Sequence, residues 1–291
     1  MKDFPIPVRP ATDLLGPGSQ SDAGDGFSYV PFPRDVPTFT MPQVPAGADA
    51  ASIAAARRLL AGFVDQMQDD GRPRIELSSV PAGVLRVLNE SLGEGEVSVR
   101  IAPRNGDRVE IRVQETVFAG VWRELHVLPD GLVEHDWLLA GPVPPVALER
   151  ARSAATMHLA PIETPRGAMN SPALLTEIRE QVLHFRPGQA PHVINLTLLP
   201  LTQEDQAVLE QAAPVGPVAI LSRGFGNCRI TSTALRNLWR VQYFNSMQTM
   251  ILNTFEVVEV PEVAMAAAED LADSRERLSE LLDWMGESGS A

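Results

Sequence analysis

Residues 92–123 read LGEGEVSVRIAPRNGDRVEIRVQETVFAGVWR, and the prediction of the fold starts from this stretch. Apolar and polar residues alternate over 97–101 and again over 109–113, and the dipeptide Asn105-Gly106 between them is a strong hairpin-turn sequence. The stretch therefore predicts a β-hairpin.

A degenerate second copy of this hairpin occupies residues 215–240. Val121-Trp122-Arg123 matches Leu238-Trp239-Arg240, and residues 143–147 match residues 260–264 at the same spacing from the tryptophan. The helices and strands predicted upstream of each hairpin also recur in the same order. We therefore expect a duplicated αβαβββ unit, arranged either as two side-by-side domains or as one sheet that continues across the junction.

The predicted fold class is α+β, with two pseudo-symmetric repeats that carry mixed or antiparallel sheets. Proline, glycine and serine dominate the beginning of the chain and predict an extended tail, whereas an apolar stripe near the end predicts an amphipathic helix. We expect that helix to pack across the repeats, with homodimerisation through its stripe as the alternative. The predicted boundaries are a tail at 1–50, a first repeat at 51–160, a linker at 161–172, a second repeat at 173–265, and the C-terminal helix and end at 266–291.

Composition and charge limit the classes of function. A net charge of -13 and a pI near 4.8 argue against a nucleic-acid binder, which needs a basic surface to displace counterions from phosphates. The single cysteine, Cys228, provides neither an intrachain disulfide nor a thiolate metal cluster. Apolar runs of the length of a signal peptide or a membrane span are not found, so we expect a cytoplasmic protein without membrane insertion.

Glu115 is the residue of greatest chemical interest. Strand alternation through Ile111 and Val113 places it in the apolar phase, where a buried carboxylate needs a partner or a raised pKa. A bulge near Gln114 or near Ala119-Gly120 would reset the phase and expose Glu115, and this interpretation is favoured because bulges are common in long strands. The matching residue of the second copy is Ser232, so a charge at this position would be asymmetric.

Other candidates for chemistry have simpler interpretations. Glu94 and Glu96 flank a glycine at a helix-to-strand turn, and paired carboxylates can act as acid and base, but a solvated acidic turn fits them better. The five histidines lack metal-type spacing, and Cys228 fits a small half-buried residue better than a nucleophile. We therefore predict no catalytic, cofactor-binding or metal-binding residue, and no cofactor.

Aromatic and methionine residues define a candidate partner-binding surface. Tyr243, Phe244 and Met247 cluster at a predicted hairpin turn, where they form either an adaptable binding face or the surface on which the repeats pack together. Trp122 and Trp239 are expected to be equivalent anchors at the repeat interface or on the binding face. With Glu94, Glu96 and Glu115, these side chains complete the set of candidate partner-binding residues.

Six stretches carry a resemblance to a known family. They are LLGPGSQ at 14–20, LGEGEVSVRI at 92–101, QETVFAGVWR at 114–123, MNSPALLTEI at 169–178, INLTLLPLT at 194–202 and PEVAMAAAEDLADSRERLSELLDW at 261–284. Together they resemble the HupH/HyaF family of nickel–iron (NiFe) hydrogenase expression/formation proteins over nearly the whole chain. The resemblance implies a cytoplasmic accessory factor that acts as a chaperone of the iron–sulfur small subunit before its twin-arginine-dependent export.

Three functions follow for testing. The first is an assembly chaperone that binds the hydrogenase small-subunit precursor, with other hydrogenase maturation proteins as further partners. The second is a scaffold that bridges two maturation factors, one on each repeat. The third is an enzyme with an acid–base site at Glu115, which is the least favoured because the sequence offers no accompanying nucleophile or metal ligands.

Overall fold

The computed structural model describes residues 47–68, 71–103, 106, 108–224 and 226–288, with the backbone alone at 287 and 288. The predicted tail falls almost entirely outside the described residues, as do Asn105 and Phe225 of the two hairpin turns. Over the described residues the fold is α+β, as predicted, and contains six α-helices. These are α1 (Ala50–Gln66), α2 (Ala82–Leu92), α3 (Pro145–Ala154), α4 (Ser171–His184), α5 (Gln203–Ala212) and α6 (Ala268–Ser288).

Within this described part of the chain, ten strands form a single sheet in which every neighbouring pair is antiparallel. The first five are β1 (Arg74–Glu76), β2 (Val97–Ile101), β3 (Glu110–Glu115), β4 (Val121–Val127) and β5 (Val133–Ala140). The second five are β6 (His192–Asn195), β7 (Val215–Ser222), β8 (Asn227–Thr233), β9 (Leu238–Phe244) and β10 (Met250–Val257). Their order across the sheet is β1-β5-β4-β3-β2-β7-β8-β9-β10-β6.

The β2–β7 pair lies at the centre of the sheet, with Val99 opposite Ile220. The strands on the two sides of this pair follow the same order. Counted outward, they are β3, β4, β5 and β1 on one side and β8, β9, β10 and β6 on the other. Of the two arrangements left open by the sequence, the structure therefore adopts one continuous sheet.

The predicted count of three strands after the second helix is wrong, because each half has four. The missed reversal of the first half lies between β3 and β4, where the Thr116 hydroxyl accepts a hydrogen bond from the Phe118 N–H at 3.2 Å and Gly120 has a φ of +74°. Phe118 is buried, so the turn continues the apolar pattern of the strands on either side and hides the reversal in the sequence. The second half reverses in the same way, with Leu235 donating to Thr233 at 3.1 Å and a φ of +61° at Asn237.

Side chains alternate between the two faces of the sheet and create separate cores. One face, called here the α3 face, buries Val99, Trp122, Ile220 and Trp239 beneath α3. The opposite face, called the five-helix face, carries the other helices in two groups. Helices α1, α2 and α6 cover the β4–β5 region, and α4 and α5 cover the β9–β10 region.

Helix α6 packs on the first half of the fold, and the prediction that it lies across both halves is wrong. Leu278, Leu281 and Met285 are buried in the cluster that α1 and α2 form, and the Arg57 side chain donates to the Leu282 carbonyl at 2.8 Å. The apolar stripe was recognised correctly, but its partner is α1. Most of the stripe is therefore enclosed within the molecule, and dimerisation through the remainder stays a prediction.

Strand β6 ends at Asn195, where the asparagine side chain begins a helical turn. The carboxamide oxygen of Asn195 accepts hydrogen bonds from the N–H groups of Thr197 at 3.0 Å and Leu198 at 3.3 Å. These bonds turn the chain into a short 3₁₀ helix, Leu196–Leu198, as expected for an asparagine that caps a helical turn.

We predict that Gly120→Ala destabilises the protein more than Gly131→Ala. Both glycines have positive φ, so alanine costs about 1–2 kcal/mol at either position. Only at Gly120 would the new Cβ collide with the Leu271 side chain of α6 and lie 3.1 Å from the Ala266 Cβ, whereas Gly131 faces open space. Overpacking adds about 1–3 kcal/mol. Urea unfolding of both variants measures the difference.

The close approach of α6 to Gly120 can be isolated with a double variant. In a protein that already carries Leu271→Ala, Gly120→Ala should destabilise little more than Gly131→Ala does. A double-mutant cycle reports this difference as a coupling free energy. Equal losses for Gly120→Ala and Gly131→Ala would show that α6 does not pack against this turn.

Candidate functional site

Glu115 is buried at the end of β3, with 7% of its surface exposed. The favoured prediction of a phase-resetting bulge is wrong, because β3 pairs with β4 without a register shift and places Glu115 opposite Trp122. One carboxylate oxygen accepts a hydrogen bond from the Gly120 N–H at 3.0 Å. The carboxylate therefore holds the β3–β4 turn in its folded shape. Ser232 occupies the corresponding place opposite Trp239.

The surroundings of Glu115 favour its protonated form. Burial raises the pKa to about 7, and the negative charges of Glu96 and Asp270 act in the same direction, whereas hydrogen bonds from the backbone N–H groups of Gly120 and Val97 lower it. A carboxyl group with this pKa exchanges a proton near neutral pH. Such a group is suited to proton transfer or to a pH-dependent contact.

The other acidic candidates lie at the surface near Glu115. Glu94 and Glu96 are exposed, as predicted for a solvated acidic turn. The Gly95 N–H donates to the Glu115 carbonyl at 2.7 Å, and the Glu96 carbonyl accepts from the Arg223 N–H at 3.2 Å. Among the described residues, histidine, cysteine and acidic side chains form no group of three or more that could hold a metal ion.

Asp205 is a second buried carboxylate, and its pKa is shifted in the opposite direction to that of Glu115. Burial acts to raise its pKa, but hydrogen bonds from Ser171, Thr202 and Asn170 outweigh burial and lower the pKa to about 2. The backbone N–H of Ser171 donates at 2.8 Å, that of Asn170 at 3.0 Å and that of Thr202 at 3.1 Å. Asp205 thereby caps α5 and joins it to the beginning of α4.

Trp122 and Trp239 occupy corresponding places in the core of the α3 face. Trp122 is fully buried and its indole N–H donates to the Gly141 carbonyl at 2.8 Å, while Trp239 donates to the Glu259 carbonyl at 3.2 Å. Both indoles are enclosed and hydrogen-bonded within the molecule. Contact of either ring with a partner stays a prediction, and it would require this core to open.

The predicted aromatic and methionine surface lies on the β9–β10 hairpin. Met247 at its tip is 82% exposed, and the Asn245 side chain holds the turn by accepting the N–H groups of Met247 and Thr249, each at 2.9 Å. Phe244 is half-buried under the Arg229 guanidinium at 4.5 Å. The alternative role in packing the repeats together is not supported, because the halves of the sheet meet at β2 and β7.

Tyr243 and Cys228 face each other beside this hairpin. Burial raises the pKa of the Cys228 thiol to about 12, and burial likewise raises the pKa of the Tyr243 phenol to about 12. A thiol that stays protonated at neutral pH is a poor nucleophile. The structure therefore agrees with the interpretation of Cys228 as a small packing residue.

Glu124 is a buried acid that the sequence analysis missed. It is 2% exposed, and it accepts hydrogen bonds from Arg74 at 3.1 Å and from His126 at 2.9 Å. Arg74 also lies over the Trp137 ring at 4.1 Å. The available signal was the two-residue spacing from Trp122, which places Glu124 on the same face of β4 as that buried indole.

Comparison with known proteins identifies the family. The model of the HupH hydrogenase expression protein C-terminal conserved region matches residues 168–285. The hydrogenase expression/formation protein HoxQ of Cupriavidus necator is 42% identical over 291 residues, which cover 98% of this chain and 99% of that protein. The chain belongs to the HupH/HyaF family of hydrogenase expression proteins.

Similarity to other members of the HupH/HyaF family is also extensive. The hydrogenase-1 operon protein HyaF of Escherichia coli is 34% identical, over 94% of this chain and 96% of that protein. A solved structure, the hydrogenase expression protein HupH from Thiobacillus denitrificans, is 28% identical over 38% of this chain and 92% of that chain, with a TM-score of 0.36. This score supports no comparison of the two folds.

The hydropathy of the helices bears on whether one of them could span a membrane. No helix in the described ranges is both long enough and apolar enough to cross a membrane. Helix α6 is the longest, and its sequence alternates charged residues with the buried stripe.

We predict that Glu115→Gln changes the pH dependence of the free energy of unfolding. The folded-state pKa of about 7 lies above the ordinary glutamic acid value of 4.5, so the contribution of Glu115 to stability is greatest below pH 4.5 and is lost as the pH rises through 7. The glutamine variant does not titrate and lacks this loss. Between pH 5 and pH 8, its free energy of unfolding should therefore rise by up to about 3 kcal/mol relative to that of wild type. Urea unfolding at a series of pH values measures the difference.

Glu94→Gln is the matched control for this titration, because it removes an exposed acid from the same turn region. Its free energy of unfolding, plotted against pH, should run parallel to that of wild type. If the curves of Glu115→Gln and wild type are parallel as well, the Glu115 carboxyl does not have a raised pKa.

Proposed function

We propose that this protein is a cytoplasmic assembly chaperone for an uptake NiFe hydrogenase, and that it binds the iron–sulfur small-subunit precursor before twin-arginine export. Membership of a family whose members are named hydrogenase expression/formation proteins supports a role in hydrogenase maturation. The observation that carries the finer proposal is an exposed apolar surface on the second half of the sheet.

This surface, called here the hairpin surface, consists of Met247, Ile251 and Leu198. They are 82%, 57% and 79% exposed. The Asn253 N–H donates to the Thr197 hydroxyl at 2.7 Å, which fixes the 3₁₀ helix with Leu198 against β10. Exposed apolar side chains that include a flexible methionine suit the binding of an incompletely folded client, because methionine adapts to different apolar surfaces.

The net charge of the chain also supports binding of the small-subunit precursor. A twin-arginine export signal is basic, whereas this chain carries a net charge of -13. Opposite charges increase the rate of encounter and exclude acidic competitors. Attraction at long range combined with apolar contact at the hairpin surface is therefore consistent with binding of a precursor that still carries its signal.

The scaffold that bridges two maturation factors is the second candidate, and it rests on the inference that the two halves are repeats. The common strand order supports that inference, and the halves differ in surface chemistry at corresponding positions. His126 and His135 are neighbours on β4 and β5, whereas Tyr243 and Leu252 are neighbours at the corresponding places on β9 and β10. Two surfaces of different chemistry suit two different partners.

An acid–base enzyme is the least supported candidate. The pKa of Glu115 fits such a role, but its carboxylate is buried and bonded to the Gly120 N–H, and Leu271 of α6 closes over that glycine. A structural role accounts for these contacts without a substrate. Loss of maturation in Glu115→Gln with client binding intact would favour catalysis instead.

We predict that Met247→Ser combined with Ile251→Ser strongly weakens binding of the small-subunit precursor. Each substitution removes apolar contact area worth about 1–2 kcal/mol, so recovery should fall at least about tenfold. The measurement is affinity capture of the full-length protein from hydrogenase-expressing cells, with the small subunit quantified by mass spectrometry. Because both side chains are exposed, the free energy of unfolding should change by less than about 0.5 kcal/mol.

Leu132→Ser combined with Val133→Ser is the matched control. These residues are 64% and 50% exposed at the corresponding β4–β5 hairpin of the first half. The control should retain the small subunit, and selective loss of a different maturation protein from it would favour the scaffold. Failure of the wild-type protein to capture the small subunit or any other maturation protein would refute both functions.

A further inference from the structure

Strands β1 and β6 are the two edges of the sheet. Among the strands of the described residues, each has a single neighbour, which is β5 for β1 and β10 for β6. A strand with one neighbour keeps a row of backbone N–H and C=O groups that can pair with a further strand. The side chains along each edge then decide whether such a strand can approach.

A hydrogen bond on β10 identifies which backbone groups of β6 point outward. The Asn253 N–H donates to the Thr197 hydroxyl, so the backbone groups of Asn253 point to the β6 side of β10. Backbone groups alternate between the two sides of a strand, and those of Phe255 therefore point to β6 as well. The register places Ile194 opposite Phe255, which makes these two residues a hydrogen-bonded pair. Its neighbour Val193 consequently directs its N–H and C=O groups away from β10.

Val193 presents both its backbone and its side chain to an approaching strand. The side chain is 50% exposed, whereas that of the next residue, Ile194, is buried in the core beneath α4 and α5. By the same alternation the N–H group of Asn195 also points outward. The two outward residues are about 6.8 Å apart along the strand, which is the repeat of hydrogen-bonding groups in any extended chain.

The edge at β1 provides the comparison within the same molecule. The Leu77 N–H donates to a β5 carbonyl at 2.7 Å, so alternation leaves Arg74 and Glu76 with their backbone groups pointing outward. Both side chains are charged, and they form ion pairs with Glu124 at 3.1 Å and His135 at 3.0 Å. Charged side chains protect an edge, because an added strand would have to displace their water.

Protection therefore differs between the two edges. Val193 and Asn195 occupy on β6 the places that Arg74 and Glu76 occupy on β1, as the pairing of each edge strand with its neighbour shows. Neither β6 side chain carries a charge. Of the two edges, β6 is the one that is open to a further strand.

The charges beside β6 limit the kind of segment that fits there. Glu256 lies directly opposite Val193 on β10, and Glu177 of α4 bonds to the His192 side chain at 2.7 Å. These acids disfavour an acidic segment. A second copy of the chain would bring a further net charge of -13 to the same edge. The surroundings therefore favour an extended segment of a different protein, with apolar β-branched residues and without acids.

We propose that β6 binds an extended segment of the client polypeptide as an added strand of the sheet. Main-chain hydrogen bonds to Val193 and Asn195 supply the affinity, and an apolar side chain packed on Val193 supplies the preference. A polypeptide that has not finished folding offers such a segment, because its own backbone groups lack partners. The identity of the occupant rests on the proposed chaperone function, to which this inference adds a mode of binding.

The first test uses the full-length protein and a short fluorescein-labelled peptide in which valine and threonine alternate between terminal lysines. Fluorescence anisotropy measures binding at about 0.15 M salt, where attraction between exposed charges is largely screened. We expect the peptide to bind. The same peptide with methylated backbone amides should bind at least about tenfold more weakly, because it has the same charge but lacks the N–H donors.

Substitutions at Val193 test the edge itself. Val193→Pro removes the outward N–H group and leaves the bonds of β6 to β10 in place, and Val193→Lys gives the edge a charge like that of β1. Each should weaken peptide binding at least about tenfold. Val215→Lys is the matched control, because Val215 is 53% exposed on β7, away from the edge, and it should stay within about twofold of wild type.

Thermal unfolding establishes that the variants fold, and Val193→Lys carries the test if Val193→Pro does not. Amide hydrogen exchange locates the bound peptide. In the free protein, the N–H groups of Val193 and Asn195 should exchange faster than that of Ile194, and the peptide should slow both. Absence of peptide binding, or equal weakening by Val193→Lys and Val215→Lys, would overturn the edge site.

Capture of the small subunit from hydrogenase-expressing cells separates this inference from the proposed function. Loss of capture by Val193→Lys but not by Val215→Lys is the expected result. Undiminished capture by Val193→Lys would overturn the edge as the binding site of the client and leave the chaperone function standing. Failure of the wild-type protein to capture the small subunit, with peptide binding intact, would refute the chaperone function and overturn the client as the occupant of β6.

Discussion

Pairing of β2 with β7 is the interaction on which the rest of the fold depends. Each strand begins a run of antiparallel neighbours, and without its partner each would be an exposed edge with one strongly apolar face. Val99 and Ile220 meet there in register, and α3 packs over both strands. The pair thereby joins two five-strand runs into one sheet and creates the core of the α3 face. Separate halves would expose both the backbone edge and that core, so neither half is complete without the other.

The two halves of the sheet share one strand order but carry different side chains at corresponding positions. The β3–β4 turn is held by the buried carboxylate of Glu115, whereas Ser232 occupies the corresponding place and donates to the Val218 carbonyl at 3.4 Å while accepting from the Val218 N–H at 3.1 Å. A hydroxyl satisfies the local backbone without a titratable charge, but a carboxylate couples the same geometry to pH. Asn227 and Asn253 likewise stand where the first half has the acids Glu110 and Asp136. Differences of this kind allow the two ends of a near-symmetric sheet to meet different surfaces.

The parts of the fold that depend on local periodicity could be predicted from the sequence. The hairpin at 97–115 and the correspondence of Trp122 with Trp239 follow from alternation and spacing. The β3–β4 reversal was missed because its tight turn buries Phe118 and so reads as continued strand. The partner of α6 was missed because an apolar stripe does not specify which surface it covers. For the site, alternation placed Glu115 in the apolar phase, but the lack of a bulge needed the observed register.

The position of α6 has a consequence for how the chain acquires its structure during synthesis. Arg57 near the beginning of the fold bonds to Leu282, which lies 225 positions later in the chain. The core beneath α1 and α2 therefore lacks Leu278, Leu281 and Met285 until that segment of the chain has left the ribosome. The half that is made first is thus finished last, and it exposes apolar surface while the second half is translated.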